Sequence, residues 1–177
     1  MIIFANTIIL FGLVVMMIFV VIFVSYTQGA KAQLSVKYLV PDTACNPSIN
    51  QGIGHIERFK SILNCVNVTG TVVTRPHYAP DGDLVFAIKP NEQNITSILN
   101  QGNQKKGGLW VEGICQMKPH TSAPWHQGDC NLGGPFPKFT IPLQGQKVEI
   151  SGKLVQDNGI GEYGQIEIHP IYSLKLR

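Results

Sequence analysis

Imidazoles and thiols are the side chains best suited to metal or redox chemistry near neutral pH. This chain has five histidines, His55, His77, His120, His126 and His169, and four cysteines, Cys45, Cys65, Cys115 and Cys130. His120 and His126 stand six residues apart in His-Thr-Ser-Ala-Pro-Trp-His, beside Trp125 and near Asp129. Imidazole suits copper or zinc, so His120 and His126 are the candidate metal ligands. No third ligand stands at a recognisable spacing, so no cofactor is expected as a fixed constituent. His169 precedes Pro170 and is flanked by Ile168 and Ile171, which predicts a hydrogen-bonded histidine inside the domain.

The acidic residues offer less. Asp81-Gly82-Asp83 opens like a calcium loop but lacks the later ligands and the closing glutamate, and a hairpin turn accounts for all three. Glu112, Glu149 and Glu167 alternate with apolar residues and read as solvent faces of strands. There is no Gly-x-Ser-x-Gly, phosphate-binding loop or dinucleotide fingerprint. No catalytic residue is assigned, and the chain is not expected to be an enzyme.

An even number of widely spaced cysteines without Cys-x-x-Cys suits two disulfides in an exported protein. Three connectivities are open, and the sequence-local pairs Cys45–Cys65 and Cys115–Cys130 are the expected ones. Asn67-Val68-Thr69 and Asn94-Ile95-Thr96 are glycosylation sequons, a second sign of export.

Residues Ile8 to Val24 form a run of 17 residues without a charge. A helix from Ile2 to Val24 is long enough for a hydrocarbon core about 30 Å thick. No basic residue precedes the run, unlike a signal peptide, although Ala30-Lys31-Ala32 offers a cleavage site before Gln33. A retained anchor is the expectation over residues 1–28, followed by a connector over 29–64 and a β domain over 65–177. Lys31 and Lys37, just after the span, would alone place the domain in the cytoplasm; the cysteines and sequons outweigh them. The expected location is thus a single pass in the cytoplasmic (plasma) membrane with the C-terminal domain extracytoplasmic. The net charge is +3. Lys105-Lys106 is the only adjacent basic pair, which excludes the basic stripe of a nucleic-acid binder.

The positioning elements follow from periodicity. Helical spacing of Ile53, Ile56, Phe59, Ile62 and Leu63 predicts a short helix over Ile53 to Asn64. Period two predicts strands over Cys65–Arg75, Leu84–Lys89, Leu109–Met117, Lys147–Asp157 and Tyr163–Ile171, the last continuing to Leu176. Gly70 and Gly152 read as bulges or bends. One helical turn is expected around Ile95, Ile98 and Leu99. Lys118 to Gly145 reads as a long loop pinned by Cys115–Cys130. The fold class is all-β: a small OB-like Greek-key barrel of about five strands carrying an N-terminal transmembrane helix, with a β-sandwich as runner-up.

Val68 to Val72 (VTGTV), with KVEISGKLVQD and YGQIEIHPI over Lys147 to Ile171, resembles small exported OB-like domains. These open with V-x-G-x-V and close with an E-I-H-P-[IV] strand. The layout of one span and one β domain is also similar to single-span accessory subunits of archaeal membrane enzymes such as ammonia monooxygenase. The resemblance implies a non-catalytic accessory subunit whose β domain caps or stabilises a complex of integral membrane subunits. Trp125, His126 and Phe136 of the long loop are the expected partner contacts. The alternative is an independent exported module for a small ligand or a metal.

Overall fold

Alternating apolar residues build the sheet. The computed structural model describes Cys45 and residues 56–119, 136–159 and 163–177. A 3-10 turn, Ile56–Arg58, leads into β1 (Phe59–Val72). Then come β2 (His77–Tyr78), β3 (Leu84–Pro90), α1 (Gln93–Thr96), α2 (Gln101–Lys106), β4 (Leu109–Gly113), β5 (Lys147–Asp157) and β6 (Gln165–Leu176). All-β architecture is as expected. No helix among the described residues is long and apolar enough to cross a membrane; the apolar run Ile8 to Val24 lies outside them.

The strands pair in the order β1-β5-β6-β4-β3-β2, and β1 pairs a second time, with β3. Gly70 serves both edges of β1, opposite Val148 of β5 and Pro90 of β3. The expected bulge is not at Gly70: the irregularities of β1 fall between Ser61 and Val66. At Gly152 the expectation holds, because the β5–β6 register shifts on both sides of it. A Cβ there would lie 2.2 Å from Ile168 Cγ2 and 2.6 Å from the Pro170 carbonyl oxygen, so only glycine lets the strands approach.

The expected helix over Ile53 to Asn64 is corrected. Its first residues, 53–55, lie outside the described residues, 56–58 make the 3-10 turn, and 59–64 belong to β1. The physical reason is the partner strand. Phe59, Lys60, Ser61 and Leu63 pair with Asp157, Gln156, Val155 and Leu154 of β5. A ladder of backbone hydrogen bonds outweighs the weak propensity of a short helix. Cys45–Cys65 is formed, its half-cystines standing 20 positions apart in sequence. Cys115 is also disulfide-bonded, while Cys130 lies outside the described residues.

Period two sorts β3, β4 and β6 into two faces. Val66, Val68, Leu84, Phe86, Ile88, Leu109, Val111, Ile150, Leu154, Ile166 and Ile168 form the main core. Each such side chain contributes about 1.5–3 kcal/mol by leaving water. Val85, Ala87 and Trp110 form a smaller cluster on the other face, with Val73 and Ala79 against it. The helical connection between β3 and β4 is tied to the sheet by Asn103 of α2. Its amide donates to the carbonyls of Gly108 and Ile166 and accepts from the Ile166 N–H.

Candidate metal centre

The second face carries the chemistry. In the parallel β4–β6 pairing, Trp110 stands beside Glu167 and Val111 beside Ile168. One step further along both strands come Glu112 and His169. The antiparallel β3–β4 register sets Val85 opposite Glu112, so Asp83, two residues before Val85, faces the same side. One ligand atom from each of Asp83, Glu112 and His169 lies within 4.8 Å of the others.

Each side chain is held from behind. The Trp110 indole N–H donates to Glu112 Oε1 at 2.7 Å. The Cys115 backbone N–H donates to Asp83 Oδ1 at 2.6 Å. The His169 ring sits 4.5 Å from the Phe59 ring, whose other neighbour is the Arg58 guanidinium. Arg58 in turn pairs with the buried Asp157 at 3.2 Å. The start of β1 therefore lies over the imidazole.

His169 is only 3% exposed, yet neither ring nitrogen has a hydrogen-bond partner. Nε2 stands 3.7 Å from Glu112 Oε2 and Nδ1 stands 3.8 Å from Glu167 Oε1. Glu167 is fully buried, and its Oε1 is likewise without a hydrogen bond. Buried polar atoms left without partners cost about 1–3 kcal/mol each, so three in one place mark a site shaped for something other than folding.

The electrostatics point the same way. Burial pushes the Glu112 carboxyl up to about 7, with Asp81 and Asp157 adding repulsion and Trp110 and Arg58 opposing it. Burial, then the charges of Glu112 and Asp157, hold Glu167 well above the usual carboxylate range. Burial, reinforced by Arg58 and Lys153, pushes His169 down to about 3. Apolar surroundings thus favour neutral carboxyls and a neutral imidazole. A divalent cation reverses this balance for the acids, because it takes the place of their protons and accepts the lone pair of the neutral ring.

Two ligands about 2.1 Å from one tetrahedral ion stand roughly 3.4 Å apart. The 3.7 Å between His169 and Glu112 is already near that value. The wider spacing to Asp83, within 4.8 Å, closes by a movement on the order of 1 Å toward such an ion. One nitrogen and two carboxylates suit zinc, cobalt, iron(II) or manganese.

The sites expected from sequence fall elsewhere. His120, Trp125 and His126 lie outside the described residues, and Phe136 is half-buried. His77 is exposed, its Nδ1 3.2 Å from the Arg75 carbonyl. Three readings are corrected. Glu167 does not face solvent but is fully buried, and Glu149 and the side chain of Glu112 are largely covered. His169 is enclosed without the expected hydrogen bond. The Asp81–Asp83 turn is present, but Asp83 also points to the cluster. The available signal was Glu-x-His over Glu167 and His169, which sets two titratable side chains on one face of a strand. No protein-family model, no curated protein and no solved structure matches this chain.

Proposed function

We propose that this chain is an exported, membrane-anchored module that holds one divalent transition-metal cation at Asp83, Glu112 and His169, without itself catalysing a reaction. The observation that carries this reading is the buried imidazole flanked by carboxylates, with no hydrogen bond at either nitrogen. The β domain that presents it is an OB-like barrel. The supporting feature is the return of the sheet to its first strand through the β1–β3 pairing, where a sandwich would split into two sheets. The apolar run Ile8 to Val24, the oxidised cysteines and the sequons support anchoring and export.

The test uses the full chain in detergent, stripped with chelator and dialysed against zinc. The expected result is a single bound zinc that is lost in the Glu112→Gln/His169→Gln double variant and kept in His120→Gln/His126→Gln. Zinc that follows His120 and His126 instead would sink this reading.

A second reading, the accessory subunit of a membrane complex of the ammonia monooxygenase type, is favoured by a separate feature. Ile141 and Leu143, 40% and 73% exposed, follow Phe136 on the strand-free segment before β5. Apolar side chains left in water there suit a partner surface. Native-gel separation of detergent extracts decides it: co-migration with integral subunits at fixed stoichiometry supports attachment, and migration alone removes it.

A further inference from the structure

Two Asn-x-Thr triplets take no part in the cation site. Asn67-Val68-Thr69 lies on β1, and Asn94-Ile95-Thr96 lies on α1. The middle residue of each belongs to the core, Val68 and Ile95 both being 0% exposed. Asn67 and Thr96 are exposed, while Thr69 and Asn94 are half-buried. Each asparagine thus stands at the surface beside a buried anchor.

The two triplets, far apart in sequence, meet at one residue. The Thr69 hydroxyl and backbone N–H donate to Glu92 Oε1 at 2.8 and 2.9 Å. The Thr96 hydroxyl donates to the Glu92 carbonyl at 3.2 Å. Asn91 completes the group, its amide donating to Thr69 Oγ1 at 2.9 Å. The triplets therefore share one corner of the domain, between β1 and α1.

Both asparagine amides leave a nitrogen position open. Asn67 Nδ2 donates one hydrogen to Glu149 Oε1 at 3.2 Å, and a primary amide carries two. Asn94 uses its oxygen, which accepts the Ile95 N–H at 3.0 Å, and its NH₂ donates to no other described residue. An amide substituted once at nitrogen keeps its oxygen and one N–H. Both hydrogen bonds therefore survive a substituent there.

From this corner, and resting on the export reading above, we infer that Asn67 and Asn94 are N-glycosylation sites whose two glycans cover the β1–α1 corner. The co-reactant is an oligosaccharide linked through its C1 to a lipid phosphate, delivered by a membrane transferase. The C1–O bond to the phosphate breaks, and its electron pair leaves with the lipid phosphate. The C1–Nδ2 bond forms as the amide gives up one proton. In the folded chain Asn67 pairs with Ser151 and Thr69 with Glu149 along β5, so transfer to Asn67 precedes the closing of that ladder. A bulky, hydrated substituent suits a surface corner of an exported domain, and it closes this corner to a protein partner.

The chain carries its own controls. Asn91 is exposed at the same corner but has Gln93, not Ser or Thr, two positions later. Asn46-Pro47-Ser48 has proline at the middle position, which bars the modification. Both asparagines should stay bare.

The test uses the full chain extracted in detergent from the membranes of its own source. Mass spectrometry with electron-transfer fragmentation locates sugar on individual asparagines, and alkylation without reductant reports the cysteines. The expected result is sugar on Asn67 and Asn94, none on Asn46 or Asn91, and cysteines that resist alkylation. Asn67→Gln and Asn94→Gln should each lose the mass of one glycan, and the double variant both. The peptide map of the native chain decides the matter even if a variant folds poorly. Protected cysteines with bare Asn67 and Asn94 overturn the inference and leave the export reading standing. Freely alkylated cysteines with bare asparagines overturn both. Sugar on one of the two overturns the paired assignment, and sugar on Asn91 as well shows attachment that ignores the triplet and overturns it too.

Discussion

Gly152 links the packing of the sheet to the site. A methyl group there meets the Pro170 carbonyl at 2.6 Å and Ile168 Cγ2 at 2.2 Å, against 3.4 Å for ordinary contact. The carbonyl belongs to the backbone of β6, so Gly152→Ala requires β5 and β6 to separate by roughly 0.8 Å. Overpacking of this kind costs about 1–3 kcal/mol, and the stiffer unfolded chain returns about 0.4–1 kcal/mol. The net loss is about 1–2 kcal/mol, or roughly 4–8 °C in melting temperature for a domain of this size. Because β6 carries Ile168 next to His169, zinc affinity should fall with it. Near-ultraviolet circular dichroism of the full chain in detergent, with chelator present, measures the melting. Gly145→Ala is the control. It has nothing within 4 Å, so only its φ of +86° resists a side chain, at about 1 kcal/mol. A Gly152→Ala variant that melts within about 2 °C of the native chain would refute the close-approach explanation.

Asn103→Ala leaves the N–H and carbonyl of Ile166 without their buried partner, at about 3 kcal/mol. Hydrogen exchange at the Ile166 amide should quicken if Asn103 is what ties the helices to β6. Replacing Cys45 and Cys65 by alanine opens a loop spanning 20 residues in sequence and should cost about 3 kcal/mol. A chemical-denaturation midpoint unchanged by that pair of substitutions contradicts it. Glu149 receives hydrogen bonds from Arg177 and Asn67, which hold its carboxyl below the ordinary glutamate value of 4.5. A lowered acid contributes stability that is present above its unfolded value and lost as pH falls through the folded one. The stability difference between the native chain and Glu149→Gln should therefore shrink below pH 4.5, and a difference independent of pH there speaks against the pairing.

Much of the sheet can be read from period two, because an apolar residue at every second position specifies both a strand and its buried face. Lys147–Asp157 is a strand with the expected bounds, and Gly152 is irregular as expected. The segment from Phe59 to Leu63 misleads because its apolar spacing fits a helix as well as an irregular strand; only the distant β5 decides between them. The site is harder still. Alternation tells which face Glu112 and Glu167 share, but not whether that face is covered. The cover comes from Phe59, which opens β1, and from Arg58 at the end of the preceding 3-10 turn, a segment whose local pattern reads as helix. Asp83, Glu112 and His169 come from three places along the chain, and only the parallel β4–β6 pairing brings the last two together. His120 and His126 attract notice because they are close in sequence, which is a poor guide to a site built across strands.

Anomalous diffraction at the zinc edge, from crystals of the chain grown with zinc, tests the central claim most directly. The account predicts a peak about 2.0–2.2 Å from His169 Nε2 and from carboxylate oxygens of Asp83 and Glu112. A peak on His120 and His126 with none at His169, or no ordered zinc at all, would contradict it.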